Sequence, residues 1–286
     1  MEHTRNKTNV LIKNPEFLLI GIGASLIAIH LSLFWRYKDS VSFCLCFLFL
    51  ATVCSQLKEK QHSLKLESGI ISSFLGFFLL LFIFINSIYQ LNSGILLSFS
   101  PFISGFALAI IASGFSGLKQ YFIELLTILF FSLRTWIPSI NSIDISIITA
   151  KFSAFLLWYT GFDVNRSGLT ISLPTGTVEV YHGCSGIVLI LDTLSLAILF
   201  LFMFELHLKQ KIIVPLVAAI LAFIINGIRV CLMALLVAQG DKQAFDYWHD
   251  GDGSLLFSMI TAFLFCCFCW VLLSNNQRKE QNLTDS

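Results

Sequence analysis

The chain has 286 residues, of which 56% are hydrophobic, 29 of them phenylalanine, and only 12% are charged. Together with a mean hydropathy of +0.83, this excludes a soluble globular domain, whose helices would alternate apolar and polar faces. The net charge of +1 does not point to nucleic acid, and no basic patch interleaved with aromatics occurs, so no nucleic-acid partner is expected. Several runs approach the roughly 20 apolar residues that cross a hydrocarbon core of about 30 Å. The expected fold is therefore all-α: a polytopic integral membrane helix bundle forming a single transmembrane domain over residues 1–286.

The N-terminus, MEHTRNKTNVLIKNPE, is polar and longer than the charged region of a signal peptide, and no small-residue cleavage site follows, so Phe17 onward reads as a retained first span. Candidate spans are Phe17–Trp35, Val41–Leu57, Gly69–Tyr89, Ile95–Phe115, Tyr121–Ile137, Ile187–Leu206, Ile212–Ala238 and Ser254–Leu273. Ile143–Trp158 is shorter and carries Lys151, which suits an interfacial or re-entrant helix. Residues 1–137 thus hold five spans, residues 138–186 a surface segment, and residues 187–286 three further spans. Within the surface segment, GFDVNRSGLTISLPTGTVEVY (Gly161–Tyr181) has the glycines, proline and β-branched residues of a short hairpin or loop.

Lys and Arg cluster before the first span (Arg5, Lys7, Lys13), after the second (Lys58, Lys60, Lys65), after the sixth (Lys209, Lys211) and at the C-terminus (Arg278, Lys279). Gln90–Gly94 has none, and Thr160–Gly186 and Gln239–Gly253 have one each. Eight spans with both termini cytoplasmic satisfy this pattern; Arg36 and Lys38 are the discordant pair. The segment before Cys184 and the WHDGDG loop then face the non-cytoplasmic side. Trp136, Trp158, Tyr159, Tyr181, Tyr247 and Trp248 lie near those span ends as an aromatic belt would.

Seven of the eight cysteines sit inside apolar runs, where a free cysteine acts as a small hydrophobe. No CxxC occurs, so a thiol–disulfide protein is disfavoured. Cys184, in YHGCSGIVLI, stands among polar neighbours where a loop meets the sixth span. A thiol at a helix start is biased toward thiolate, and the amides of Ser185 and Gly186 are expected to be free for an oxyanion there. Arg229 lies nine residues inside the end of the seventh span, and Asn226, three residues earlier, shares its face. An arginine at such depth marks a functional site. His249, just before the last span, is the candidate proton carrier, with Asp250 and Asp252 to orient or solvate it. His182 is the rival histidine. Asp192 and Glu124 read as structural carboxylates, Asp192 within reach of pairing with Arg229. A Cys–His pair is the minimum for covalent acyl transfer. A zinc site from His182, Cys184, His249 and Asp250 is the competing use, but HxC is not a common structural zinc spacing, so neither a metal nor another cofactor is expected.

CSGI at Cys184–Ile187, NGIRV at Asn226–Val230, and His249 in WHDGDGSLLF with Gly253 and Phe257 following resemble the exosortase/archaeosortase family in order and spacing, over a core from about Thr160 to the C-terminus. The compact, phenylalanine-rich form resembles the cyanobacterial branch. The resemblance implies a protein-sorting enzyme of the plasma membrane, a cysteine endopeptidase or transpeptidase. Its partners would be membrane lipids and exported proteins with a C-terminal sorting tail: a motif such as Pro-Glu-Pro, a transmembrane helix and a basic cluster. Carried over, Cys184 is the nucleophile, Arg229 the thiolate or oxyanion stabiliser and His249 the general acid/base, with Ser185, Gly186, Asn226, Asp250 and Asp192 around them. The alternative is a non-enzymatic transporter or scaffold that binds an anionic ligand at Arg229. The sequence leaves open the substrate motif, the acceptor group and the oligomeric state.

Overall fold

The computed structural model describes residues 15–37, 39–89, 94–137, 144–249 and 251–284. Arg5, Lys7, Lys13, Lys38 and Asp250, together with residues 90–93 of the third connection, lie outside these. The chain divides into two compact units, Met1–Ser139 and Ile140–Ser286.

The described residues of the first unit form five α-helices: α1 (Pro15–Arg36), α2 (Ser40–Lys60), α3 (Ile70–Tyr89), α4 (Gly94–Gly117) and α5 (Phe122–Trp136). Continuous apolar sequence makes the helix obligatory in lipid, because every backbone N–H and C=O must find its partner within the segment. The ends follow local chemistry. Asp39 caps α2 by accepting from the Ser42 amide at 2.9 Å. A non-helical Gly114 and a 3₁₀ turn, Leu118–Tyr121, separate α4 from α5. Phe131 of α5 packs edge-on against Phe34 of α1 and tilted against Phe49 of α2, with ring centroids 5.5 and 5.4 Å apart.

Several polar side chains within these helices are paired. His30 Nε2 lies 3.0 Å from the Ser104 hydroxyl, and Arg134 donates to the Ser42 hydroxyl. Glu124 is buried and meets Lys60 Nζ at 2.7 Å. The same ammonium donates to the Gln120 carbonyl and lies 5.6 Å from the centre of the Tyr121 ring. Glu124 is thus the structural carboxylate expected of it.

The second unit holds α6 (Ser146–Tyr159), β1 (Asn165–Ser167), β2 (Thr170–Leu173), β3 (Gly176–Glu179), α7 (Ile187–Met203), α8 (Leu208–Ala238), α9 (Lys242–His249) and α10 (Asp252–Thr284). Where the sequence suggested a hairpin or loop there is a three-stranded antiparallel meander in the order β1-β2-β3, which holds the only strands among the described residues. Two-residue turns at Gly168–Leu169 and Pro174–Thr175 set its register. Its inner face (Ile171, Leu173, Val180) packs on Ala150, Ala154 and Leu157 of α6 and on Val230 and Ala234 of α8. Gly176 seats β3 on the end of α8, since a Cβ there would stand 2.8 Å from the Ala238 backbone.

Among the described residues six stretches are long and apolar enough to cross a membrane: Glu16–Arg36, Ser40–Ser63, Ile70–Ile88, Ile95–Trp136, Leu208–Ala238 and Asp252–Arg278. The fourth, 42 residues long, contains both α4 and α5. Helices α6 and α7, with 14 and 17 residues, fall short by the same measure, so the expected number of eight crossings does not follow from length alone. Helix α6 buries one whole face, from Ser146 through Thr149 and Ser153 to Leu157, and packs along α8. The region expected as the WHDGDG loop is partly helical: α9 runs through Trp248 and His249.

Removing one partner of a buried ion pair leaves an uncompensated charge, whereas removing both is tolerated. Lys60→Met should therefore lower the thermal midpoint of the detergent-solubilised protein, by up to about 3–5 kcal/mol of stability. The double variant Lys60→Met/Glu124→Leu should recover most of that loss in the same melt.

Candidate active site

Cys184 closes a 3₁₀ turn, His182–Cys184, that follows β3. The turn is made by the Cys184 amide donating to the Tyr181 carbonyl at 2.8 Å and the Ser185 amide donating to the His182 carbonyl at 3.1 Å. Two helices then fix the turn from below. Asn226 Nδ2 of α8 donates to the Cys184 carbonyl at 3.0 Å. The Thr149 hydroxyl of α6 donates to the Ser185 carbonyl at 2.6 Å. Asn226 and Thr149 are almost wholly buried, so each is a polar group whose burial is compensated by a backbone carbonyl.

Gly186 joins this turn to α7 in the left-handed region, at φ 91°. A Cβ at Gly186 would lie 2.6 Å from Asn226 Nδ2. Both the conformation and the close approach require glycine here. The helix begins only at Ile187. Two expectations are corrected by this geometry. Cys184 precedes α7 by three residues instead of occupying its first turn. The Ser185 amide is not free for an oxyanion, because the tight turn uses it.

His249 is the last residue of α9. Its Nε2 lies 3.3 Å from Cys184 Sγ and 3.1 Å from the Tyr181 hydroxyl. Phe245, one turn earlier, stacks on the imidazole with centroids 5.1 Å apart and planes 11° apart. Arg229 Nη2 donates to the His249 carbonyl at 2.7 Å. Helix α9, about 12 Å long at 1.5 Å per residue, thus returns the chain from the end of α8 to the level of an arginine nine residues inside it.

The three residues expected to carry chemistry are therefore linked, with Cys184 meeting the ring of His249 and Arg229 its carbonyl. Asn226, Ser185 and Gly186 shape the cysteine turn. Asp192 is buried on α7, and no ion pair between it and Arg229 forms among the described residues. The guanidinium turns instead to the His249 carbonyl. Asp250 lies outside the described residues. His182 does not compete with His249 for the thiol. Its ring nitrogens are buried without hydrogen-bond partners among the described residues, and Nδ1 is 3.8 Å from Asp144. The Asp144 carboxyl is held below the usual carboxylate range, first by the Ser146 hydroxyl and then by the Ser146 amide. No group of three or more His, Cys, Asp or Glu side chains gathers as a metal site among the described residues.

Sequence reasoning missed two contributors. Tyr181 was assigned to an aromatic belt but turns its hydroxyl to His249; the only available signal was its place three residues before the cysteine. Thr149 carried no signal, because its partner is a backbone carbonyl 36 residues away. A cavity of about 170 Å³ opens at the Cys184–His249 pair, lined also by β3, Val230, Met233, Val237 and Phe245.

Residues 35–266 match the profile of the transmembrane exosortases, and the chain belongs to that family. The matched region contains Cys184, Arg229 and His249. No curated protein and no solved structure matches the chain significantly.

Gly186→Ala forces a side chain into the left-handed region and against Asn226. We expect it to cost about 1–3 kcal/mol locally and to displace the cysteine turn. Alkylation of a variant retaining Cys184 as its sole cysteine reads this directly, and its rate should change in Gly186→Ala more than in Gly161→Ala, where no atom lies within 4 Å of the added Cβ.

Proposed function

We propose that this exosortase is a cysteine endopeptidase or transpeptidase that cleaves the C-terminal sorting tails of exported proteins through a thioester on Cys184. The observation that carries the proposal is the 3.3 Å contact between Cys184 Sγ and His249 Nε2, a nucleophile within reach of its base. The distribution of Lys and Arg supports a plasma-membrane location with cytoplasmic termini and the site on the non-cytoplasmic face, where an exported substrate arrives.

In the first step the Cys184 proton passes to His249 Nε2 and the sulfur attacks the scissile carbonyl. The C–O electrons move onto oxygen. Arg229 supplies positive charge next to His249, and its Nε, a buried donor without a partner among the described residues, is available to the oxyanion. Collapse breaks the C–N bond, and the leaving amine takes the proton from His249. Water or an amine acceptor then attacks the thioester, gives its proton to His249, and the thiol is restored. Tyr181 shares Nε2 with the thiol and steadies the ring between steps.

Cys184→Ala in place of the native chain should leave exported proteins that share a C-terminal tail uncleaved, seen as a mass increase in the membrane proteome. His249→Ala should slow processing by about 10²–10⁴-fold, the usual contribution of a positioned acid/base. Undiminished processing in Cys184→Ala would overturn the proposal.

A further inference from the structure

Among the described residues β3 is an edge strand, paired with β2 on one side only. Val180 N donates to the Leu169 carbonyl at 3.0 Å, and Leu173 and Gly176 flank a two-residue turn. In an antiparallel pair, hydrogen-bonded positions alternate with positions whose backbone groups point away. Gly176, Val178 and Val180 therefore face β2, while the N–H and C=O groups of Thr177 and Glu179 face the outer edge. Both residues are exposed. The edge is continuous with the reactive pair, for β3 leads through Val180 and Tyr181 into the Cys184 turn. The cavity of about 170 Å³ follows the same path, with Val178 and Val180 on one wall, Met233 and Val237 of α8 opposite, and Cys184 and His249 at its end. Sites for drug-sized ligands hold about 300–1,000 Å³, so this volume suits a single side chain.

Building on the thioester reading, we propose that the substrate segment on the acyl side of the scissile bond binds as an extended strand along β3, and that one of its side chains enters this cavity. The backbone of the substrate pairs with the outward groups of Thr177 and Glu179, as in strand addition to a sheet edge. Side chains of the added strand alternate between faces, so one set points inward toward α8. The side chain that enters the cavity is apolar and of medium size, because most of the lining is Val178, Val180, Val230, Met233, Val237 and Phe245, with Glu179 as its one carboxylate. The edge selects for an extended, unfolded chain, and the cavity selects among such chains.

The test uses the full-length chain in proteoliposomes and N-acetyl tripeptidyl vinyl sulfones. These alkylate a thiol when sulfur adds to the vinyl β-carbon and the thiol proton goes to the α-carbon. The probes differ only in the residue beside the warhead (Gly, Val, Leu, Asp or Lys), and a matched set carries N-methylated backbone amides. Each rate of Cys184 labelling is divided by the iodoacetamide rate of the same protein. Val or Leu should exceed Gly by about tenfold or more, as burial of an aliphatic side chain gives, and Asp and Lys should fall below Gly. N-methylation should slow the Val probe by about tenfold, the loss of one or two net hydrogen bonds. In Glu179→Pro the methylated and unmethylated probes should converge. Equal normalised rates for all side chains, with no effect of N-methylation, would overturn the docking proposal while leaving Cys184 a competent nucleophile. Failure of iodoacetamide and every probe to label Cys184 would overturn the thioester reading and this proposal with it.

Discussion

The site depends on one hydrogen bond, from Arg229 Nη2 to the carbonyl of His249. A guanidinium inside an apolar helix is costly unless it is satisfied, and a carbonyl at the end of a short helix lacks an intrahelical donor. Each group answers the other's need. Because the bond is charge-assisted it is stronger than a neutral one, and it fixes the depth to which α9 returns along α8. That depth places the His249 ring at Cys184 and Tyr181. The arginine thus sets backbone position.

The same device recurs around the cysteine. Asn226, Thr149 and Ser153 each extend from a helix to hold a carbonyl, of Cys184, Ser185 and Gly227 respectively. Irregular backbone at membrane depth is tolerated only where protein satisfies it, and the turn from Tyr181 to Gly186 is irregular by necessity: it must present a thiol and then enter α7. Small side chains on α6 and Gly186 beside Asn226 let these donors approach. Rigidity at the turn is a consequence of satisfying its polar groups within the protein.

The helices and the candidate site residues were legible in the sequence because both leave one-dimensional marks. Long apolar runs define helices, and a cysteine, an arginine and a histidine at odds with their surroundings define a site. What escaped notice depends on pairing distant in sequence or on local geometry. Tyr181 reads as one more interfacial aromatic until its hydroxyl is seen beside His249. The Ser185 amide looks free on a helix-start reading and is engaged because the turn is 3₁₀. The third strand was hidden because strands of three or four residues have too little periodicity to declare themselves. Asp192 and Arg229 are polar neighbours by position, yet the guanidinium is claimed by α9, an element that the WHDGDG sequence did not announce.

The central claim is that His249, held by Arg229, activates Cys184. The most direct measurement is the rate of iodoacetamide alkylation of a chain that keeps only Cys184, compared with the same chain carrying His249→Ala or Arg229→Ala. The account predicts fast alkylation that slows in both variants, because one removes the base and the other releases its position. Equal rates in all three proteins would contradict it and leave Cys184 an ordinary buried thiol.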